Sequence, residues 1–175
     1  MCGIVGFTGA DQAAPILLDG LAKLEYRGYD SAGLAVQNAA GKIEVVKAKG
    51  RLRVLSDMTD GGRAVQGTCG IGHTRWATHG EPSVQNAHPH YSRDEKIAVV
   101  HNGIIENYQE LKDRLVNRGY TFTSQTDTEV VAQLIDYYYT GEAAGDPLGA
   151  ITRMMLHVRG SYALGVLFAD CPGVV

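Results

Sequence analysis

The strand-forming segments of this chain come in neighbouring groups and do not alternate strictly with helical segments. Residues 32–37 and 42–49, for example, are separated only by Asn38-Ala39-Ala40-Gly41, which is typical of a hairpin turn. Parallel strands need a long crossover connection, whereas antiparallel strands can be joined by such short turns. The order of segments therefore predicts an α+β protein with antiparallel sheets and packed helices, and it argues against a doubly wound parallel sheet.

Periodicity and capping residues predict the remaining elements. Further strands are predicted over residues 2–8, 68–73, 96–101 and 161–169. Helices are predicted over residues 12–24, 107–118, 126–139 and 147–157. The first helix is expected to be capped by Asp11, the third by the capping-box spacing of Thr126 and Glu129, and the fourth by Asp146 before Pro147. Because Asn-Gly is a strong turn signal, Asn102-Gly103 is expected to end the strand over 96–101.

Charge and cysteine content exclude several classes of protein. The 175 residues have the length of one domain, and 16 basic against 19 acidic residues give a net charge of -3. Because no run of lysine or arginine breaks this balance, we expect no nucleic-acid binding and no attachment to a membrane. The N-terminus lacks the features of a signal peptide, so a cytoplasmic location is expected. The three cysteines contain no CxxC pair, which argues against a disulfide framework and a structural zinc site.

Cys2 allows two interpretations. A free cysteine in a predicted strand is most often a small buried hydrophobic residue. Alternatively, removal of Met1 would leave Cys2 with a free α-amine, whose reference pKa of roughly 8 suits it to take a proton from the neighbouring thiol. A nucleophile and its base would then belong to one residue, which is the arrangement of N-terminal nucleophile hydrolases.

Three further positions carry groups that could act on a substrate. Arg75 is either a surface residue stacked on Trp76 or a bidentate partner for a substrate carboxylate. Asn102-Gly103 is either a turn or a pair of N–H donors for an oxyanion. Asp127 either favours a helix N-terminus by its charge or binds a substrate ammonium group.

Five histidines are crowded into a short part of the chain: His73, His79, His88, His90 and His101. Such crowding suggests a metal site. However, the sequence has no HExxH or comparable ligand spacing, and acidic partners do not recur at regular offsets. Hydrogen bonding within the loop is therefore the preferred interpretation, and we expect neither a metal site nor another cofactor.

Together these segments resemble the class II glutamine amidotransferases, and among them the glucosamine-6-phosphate synthases. The resemblance is carried by residues 1–6, 24–33, 72–82, 86–90, 101–107 and 126–129. Its most specific parts are Tyr-Arg-Gly-Tyr-Asp-Ser-Ala-Gly at 26–33 and His-Thr-Arg-Trp-Ala-Thr-His-Gly at 73–80. The resemblance implies a four-layer αββα sandwich of the N-terminal nucleophile hydrolases, with two antiparallel sheets between layers of helices.

The resemblance also implies roles for individual residues. Cys2 would attack the carboxamide of L-glutamine, and the Asn102 side chain with the Gly103 N–H would stabilise the oxyanion. Arg75 would bind the α-carboxylate of glutamine and Asp127 its α-amino group. Residues 75–83 would form a lid over the substrate. The remaining site residues would be Thr78 and His79 lining the glutamine site, Trp76 at the exit for ammonia, and Arg27, Gly28 and His88 in supporting positions.

By this resemblance, residues 1–175 would be most of a glutaminase domain that is truncated at its C-terminus and separated from its sugar-isomerase domains. The ammonia would pass to fructose 6-phosphate in the full-length enzyme, which would be a homo-oligomer. Two alternatives stay open. One is the glutaminase domain of another class II amidotransferase, and the other is a non-catalytic, histidine-rich metal-binding module.

Overall fold

A computed structural model describes residues 2–77 and 80–171, and within them it shows two antiparallel sheets and five α-helices. The first sheet has the strand order β1-β4-β2-β3 and the second has the order β5-β6-β7. The strands are β1 (Gly3–Thr8), β2 (Ser31–Gln37), β3 (Ile43–Lys49), β4 (Cys69–Arg75), β5 (His90–Tyr91), β6 (Ile97–Ile105) and β7 (Gly160–Phe168). The helices are α1 (Ala13–Leu24), α2 (Leu52–Met58), α3 (Tyr108–Val116), α4 (Thr128–Tyr139) and α5 (Pro147–Met155).

Three clusters of buried apolar side chains define the layers. The cluster between the sheets contains Ala35 and Ile71 of the first sheet and Val100 and Leu167 of the second. A second cluster packs α1 and α2 on the outer face of the first sheet. A third packs α3, α4 and α5 on the outer face of the second sheet. The order of layers is therefore helix, sheet, sheet, helix, as the α+β prediction required.

Several predicted elements are confirmed with small changes at their ends. The hairpin of β2 and β3 pairs in antiparallel register from Ser31 with Lys49 to Gln37 with Ile43. Helix α5 begins with Pro147, and the Asp146 side chain accepts a hydrogen bond from the Gly149 N–H at 3.0 Å. These features depend on neighbouring residues, which is why the sequence alone predicts them well.

Other predictions of local structure were wrong. Helix α2 was not predicted, because its seven residues bury only Leu52 and Leu55 and so show little periodicity. The residue before α1 is Gln12, whose side chain accepts from the Gly67 N–H at 2.9 Å, and Asp11 is not its cap. The capping box before α4 does not form, because Asp127 occupies the N-cap position and the Glu129 carboxylate accepts from residues 123 and 124.

The largest error concerns β6, which does not end at Asn102-Gly103. The strand continues to Ile105, with Asn102 opposite Ala163 and Gly103 opposite Tyr162 of β7. Pairing with β7 over the full length of β6 overrides the local turn preference of Asn-Gly. Within the described residues, no helix is both long and apolar enough to cross a membrane.

Candidate active site

A cavity of about 700 Å³ lies where the end of β4, the middle of β6 and the start of α4 meet. Most of the predicted site residues line it, namely Cys2, Arg27, Arg75, Trp76, His88, Asn102, Gly103 and Asp127. Thr78 and His79 lie outside the described residues, and the predicted lid over 75–83 is therefore described only in part. Residues separated by more than a hundred positions in the sequence thus come together at one cavity.

Gly28 lies behind the cavity wall and is not among its lining residues. A Cβ atom at Gly28 would stand 2.7 Å from the backbone carbonyl carbon of Arg75. Any larger residue would therefore push away the end of β4. Gly28 acts on the site by permitting this close approach, while Arg27, in a short 3-10 turn after α1, reaches the cavity itself.

The Cys2 sulfur is held against the backbone of a single residue. The Trp76 N–H donates to Cys2 Sγ at 3.2 Å, and the thiol lies 3.6 Å from the Trp76 carbonyl oxygen. Cys2 is partly exposed and precedes β1, which begins at Gly3. The interpretation of Cys2 as a buried strand residue is therefore wrong, and its thiol is accessible from the cavity.

The Asn102 side chain bridges Cys2 and His73. Its Nδ2 donates to the Cys2 carbonyl oxygen at 3.2 Å, and its Oδ1 lies 3.0 Å from His73 Nε2. The next residue, Gly103, has φ of +128°, and a Cβ there would collide with the Ser161 carbonyl oxygen on β7. Only glycine fits at this position without strain, so β6 can carry Asn102 into the cavity while it stays paired with β7.

Arg75 and Asp127 bring opposite charges to the cavity. Both are buried, with 3% and 5% of their surface exposed. The Arg75 guanidinium donates to the carbonyl oxygens of Gly80 at 3.1 Å and Glu81 at 3.4 Å. Burial lowers the pKa of Arg75, while the negative charges of Asp30 and Asp127 oppose that shift. An arginine side chain stays charged under such conditions, so a fixed cation lies in the cavity wall.

The alternative interpretation of Arg75 does not fit the structure, whereas that of Asp127 does, because its charge lies at the N-terminus of α4. Arg75 is not a surface residue stacked on Trp76, because it is buried, and the Trp76 ring instead packs edge-on against Tyr29 at 5.2 Å. Asp127 precedes α4, but its side chain does not cap that helix. Asp127 Oδ2 instead accepts from the Ile105 N–H of β6 at 2.8 Å. One carboxylate oxygen is thereby fixed to the end of β6.

Four of the five clustered histidines are buried together, with His88 and His101 at the cavity wall and His73 and His90 behind it. His73 and His88 stack with ring centroids 4.2 Å apart, and His90 and His101 adjoin the His88 ring. Burial lowers the pKa of His73 to about 4 and holds the pKa values of His88 and His90 well below their usual range. These imidazoles are therefore neutral near pH 7.

The hydrogen bonds of these histidines differ from the predicted pattern. His73 belongs to β4, His90 to β5 and His101 to β6, so only His88 fulfils the expectation of bonding from a loop, and His90 begins the short strand that follows this loop. The ring nitrogens of His88 and His90 bind the hydroxyl groups of Thr128 and Thr126. Among the described residues, no group of three or more His, Cys, Asp or Glu side chains is placed to hold a metal ion.

Some cavity residues were missed by the sequence analysis. They are His101, Ile104, Thr126, Thr128, Ser161, Tyr162 and Ala163. Thr126 and Thr128 flank Asp127 in the 126–129 segment that carries part of the family resemblance. This segment could have predicted their place at the cavity. The sequence predicts only that residues 161–163 belong to a strand. Their place at the cavity follows from the register of β7 with β6.

Comparison with known proteins identifies the family to which the chain belongs. A family model described as "Glutamine amidotransferase domain" matches residues 58–166. Glutamine–fructose-6-phosphate aminotransferase (isomerizing) of Caldanaerobacter subterraneus subsp. tengcongensis is 57% identical over 175 residues, which is all of this chain and 28% of the relative. The enzyme of the same name from Thermus thermophilus is 51% identical over the same share of each chain. The chain thus spans little more than a quarter of these relatives.

A solved structure shows the same fold. Glutamine phosphoribosylpyrophosphate amidotransferase from B. subtilis, in complex with ADP and GMP, superposes with a TM-score of 0.80 and 28% identity. The match covers 97% of this chain and 35% of that one. The predicted four-layer α+β fold is thereby confirmed. From the family match, the close relatives and the shared fold, we conclude that this chain belongs to the glutamine amidotransferase domain family.

Proposed function

We propose that this chain hydrolyses L-glutamine to glutamate and ammonia through a thioester on Cys2. The observation that carries the proposal is the grouping of three features at one cavity: an accessible thiol, an amide donor and a pair of opposite buried charges. Cys2 Sγ lies at the cavity wall, and the Asn102 amide contacts the carbonyl oxygen of the same residue. Arg75 and Asp127 supply the charges.

The two buried charges match the ends of the substrate. Glutamine is a zwitterion at neutral pH, so one fixed cation and one fixed anion recognise it without changing the net charge of the site. The planar guanidinium of Arg75 suits the α-carboxylate, and the Asp127 carboxylate suits the α-ammonium group. When the α-carboxylate and α-ammonium groups of glutamine are bound in this way, its side-chain carboxamide can reach the Cys2 thiol.

The chemistry begins when the α-amine of Cys2, free after removal of Met1, takes the thiol proton. The thiolate attacks the carboxamide carbon, and the resulting oxyanion receives hydrogen bonds from the Asn102 side chain and the Gly103 N–H. The amine returns its proton to the leaving nitrogen, and ammonia departs as the thioester forms. Water activated by the same amine then attacks the thioester, which releases glutamate and restores the thiol.

The remaining predicted residues complete the proposal. Thr78 and His79 would line the glutamine site, and Trp76 would control the exit of ammonia. Support for a lid over 75–83 comes from Arg75, which holds the carbonyl oxygens of Gly80 and Glu81. Closure of such a segment excludes water from the thioester until the ammonia has left.

For the full-length protein we propose ammonia transfer to fructose 6-phosphate, giving glucosamine 6-phosphate. Support comes from the names of the relatives, glutamine–fructose-6-phosphate aminotransferase (isomerizing), at 57% and 54% identity. Sugar-isomerase domains following residues 1–175 and a homo-oligomeric, cytoplasmic enzyme belong to the same proposal. The similarity to the phosphoribosylpyrophosphate amidotransferases is lower, at 28% identity.

A covalent-labelling experiment tests the glutaminase proposal. The protein with Met1 removed is treated with an electrophilic glutamine analogue, such as 6-diazo-5-oxonorleucine, and digested for mass spectrometry. We expect one adduct, on the peptide that begins with Cys2, and we expect excess glutamine to prevent it. Cys69 is buried and Cys171 is not among the cavity-lining residues, so each serves as an internal control. Labelling spread over all three cysteines, or no protection by glutamine, would contradict the proposal.

A further inference from the structure

The hydrogen-bond geometry around His73 determines which of its nitrogens carries the proton. His73 Nε2 lies 3.1 Å from the backbone carbonyl oxygen of His101 and 3.0 Å from Asn102 Oδ1. A carbonyl oxygen can only accept, so Nε2 must be the donor. His73 Nδ1 is buried and has no hydrogen-bond partner among the described residues, which suits a lone pair better than a proton. His73 is therefore a neutral imidazole protonated at Nε2.

This tautomer determines the orientation of the Asn102 amide. With Nε2–H as the donor, the atom of Asn102 facing His73 must be the acceptor Oδ1, and Nδ2 must face Cys2. A reversed amide would place Nδ2–H against the His73 N–H and Oδ1 against the Cys2 carbonyl oxygen. In the observed orientation, one hydrogen of Nδ2 binds the Cys2 carbonyl oxygen and the second is directed elsewhere.

We propose that His73 is a positioning residue that orients the Asn102 amide so that its second N–H meets the oxyanion formed on glutamine. This inference rests on the proposed function, in which Asn102 is the oxyanion donor. His73 does not line the cavity and acts only through Asn102.

The surrounding histidines keep His73 in place. The His101 backbone N–H donates to His88 Nδ1 at 3.2 Å, so the proton of His88 is on Nε2, which lies 3.3 Å from Thr128 Oγ1. Thr128 Oγ1 in turn lies within hydrogen-bond distance of His101 Nδ1, at 2.8 Å. His88 is thus fixed by a closed set of hydrogen bonds, and its ring stacks on His73 with an interplanar angle of 17°. A rigid neighbour of this kind locks the rotamer of the positioning group.

Substitutions of His73 separate its orienting role from its role in packing. His73→Leu fills a similar space but removes the donor, and we expect kcat to fall about 10-fold to 100-fold with KM changed less than about 3-fold. His73→Gln places an amide N–H near the position of Nε2, so it should restore kcat to within about 3-fold of the original enzyme. His73→Asn places its N–H near the position of Nδ1 and should not restore it.

His90→Leu is the matched control for disturbance of the histidine cluster. His90 is as buried as its neighbours, but its Nε2 binds Thr126 Oγ1 and does not contact Asn102. We expect His90→Leu to lower the thermal midpoint and to leave kcat within about 3-fold. Equal losses of kcat in His73→Leu, His73→Gln and His90→Leu would overturn the inference, because the donor would then have no special effect.

A spectroscopic measurement tests the tautomer without relying on activity. Nitrogen-15 NMR of the histidine rings in the folded protein should show His73 protonated at Nε2 and not at Nδ1, with the assignment made from His73→Gln. Protonation at Nδ1 would overturn the inference even if the proposed function holds. If Asn102→Ala lowers turnover and His73→Leu does not, only the inference fails. If Asn102→Ala leaves turnover unaltered, the oxyanion role and the inference fail together.

Discussion

Replacement of Asn102 by alanine should damage turnover far more than folding. The substitution removes two hydrogen bonds, from Nδ2 to the Cys2 carbonyl oxygen and from His73 Nε2 to Oδ1. At about 1 kcal/mol each, their loss lowers the free energy of unfolding by about 2 kcal/mol. The His73 N–H keeps its second acceptor, the His101 carbonyl oxygen, so no buried donor is left unpaired. For a domain of this size, the thermal midpoint should fall by about 4–8 °C.

The kinetic effect has a different origin and a larger size. Loss of one oxyanion donor costs about 10²–10³-fold in kcat, equivalent to about 2.7–4 kcal/mol. KM for glutamine should change less than about 3-fold, because the negative charge on the carboxamide oxygen develops only after the ground state. The protein remains folded at the assay temperature, since the lost stability is a fraction of the roughly 5–15 kcal/mol typical of a domain.

A second substitution at the same position controls for shape. Asn102→Asp preserves the outline of the side chain and an oxygen facing His73, but it replaces the donor with a second acceptor. Its turnover should be at least as low as that of Asn102→Ala. Glutamate release measured in a coupled dehydrogenase assay, together with thermal melts by circular dichroism, gives both quantities on the same samples. A kcat for Asn102→Ala within about 3-fold of the original would refute the assignment of the oxyanion donor.

Four other perturbations test the remaining residues. Arg75→Lys should raise KM about 10-fold or more with little change in kcat, because an ammonium group cannot reproduce the planar fork, and steady-state kinetics measure both. Asp127→Ala should lose its preference for glutamine over an analogue without the α-amino group, as measured by competitive inhibition. A preparation that retains Met1 should fold normally yet hydrolyse no glutamine until an aminopeptidase exposes Cys2, which a paired assay and mass measurement detect. Since burial lowers the pKa of His73 to about 4, the unfolded chain binds this proton near pH 6.5 and the folded chain does not. The free energy of unfolding should therefore fall by about 3 kcal/mol for this group as the pH drops from about 6.5 to about 4, as urea denaturation at several pH values would show.

The sequence was most informative where neighbouring residues determine the outcome. Pro147 after Asp146 predicts the start of α5, and alternating apolar residues predict the hairpin of β2 and β3. The resemblance to a family also named the thiol at position 2, the cation of Arg75 and the anion of Asp127 as site residues, and all three line one cavity. What the sequence could not supply was the distance between them, since each belongs to a different element.

The errors arose where distant parts of the chain determine local structure. Asn102-Gly103 forms part of a strand because β7 pairs along the whole of β6. No residue near position 102 indicates that β7 will pair with this segment. The role of His73 depends on the His101 carbonyl oxygen and on the His88 ring, which come from two other segments. Tertiary contacts of this kind override local propensity. For this reason Asn-Gly was wrongly predicted to end a strand, and most of the clustered histidines were wrongly predicted to bond within a loop.

The contact between Asn102 and Cys2 has a consequence for how the chain is synthesised. It joins residues 100 positions apart, and the adjacent Gly103 is held in β6 by pairing with β7. Synthesis at about 5–20 residues per second places roughly 10–30 s between the appearance of Cys2 and that of β7. The thiol therefore leaves the ribosome first, and the proposed oxyanion donors can reach it only after the second sheet has formed. By the proposed mechanism, a nascent chain would carry its nucleophile throughout this interval without the groups needed to hydrolyse glutamine.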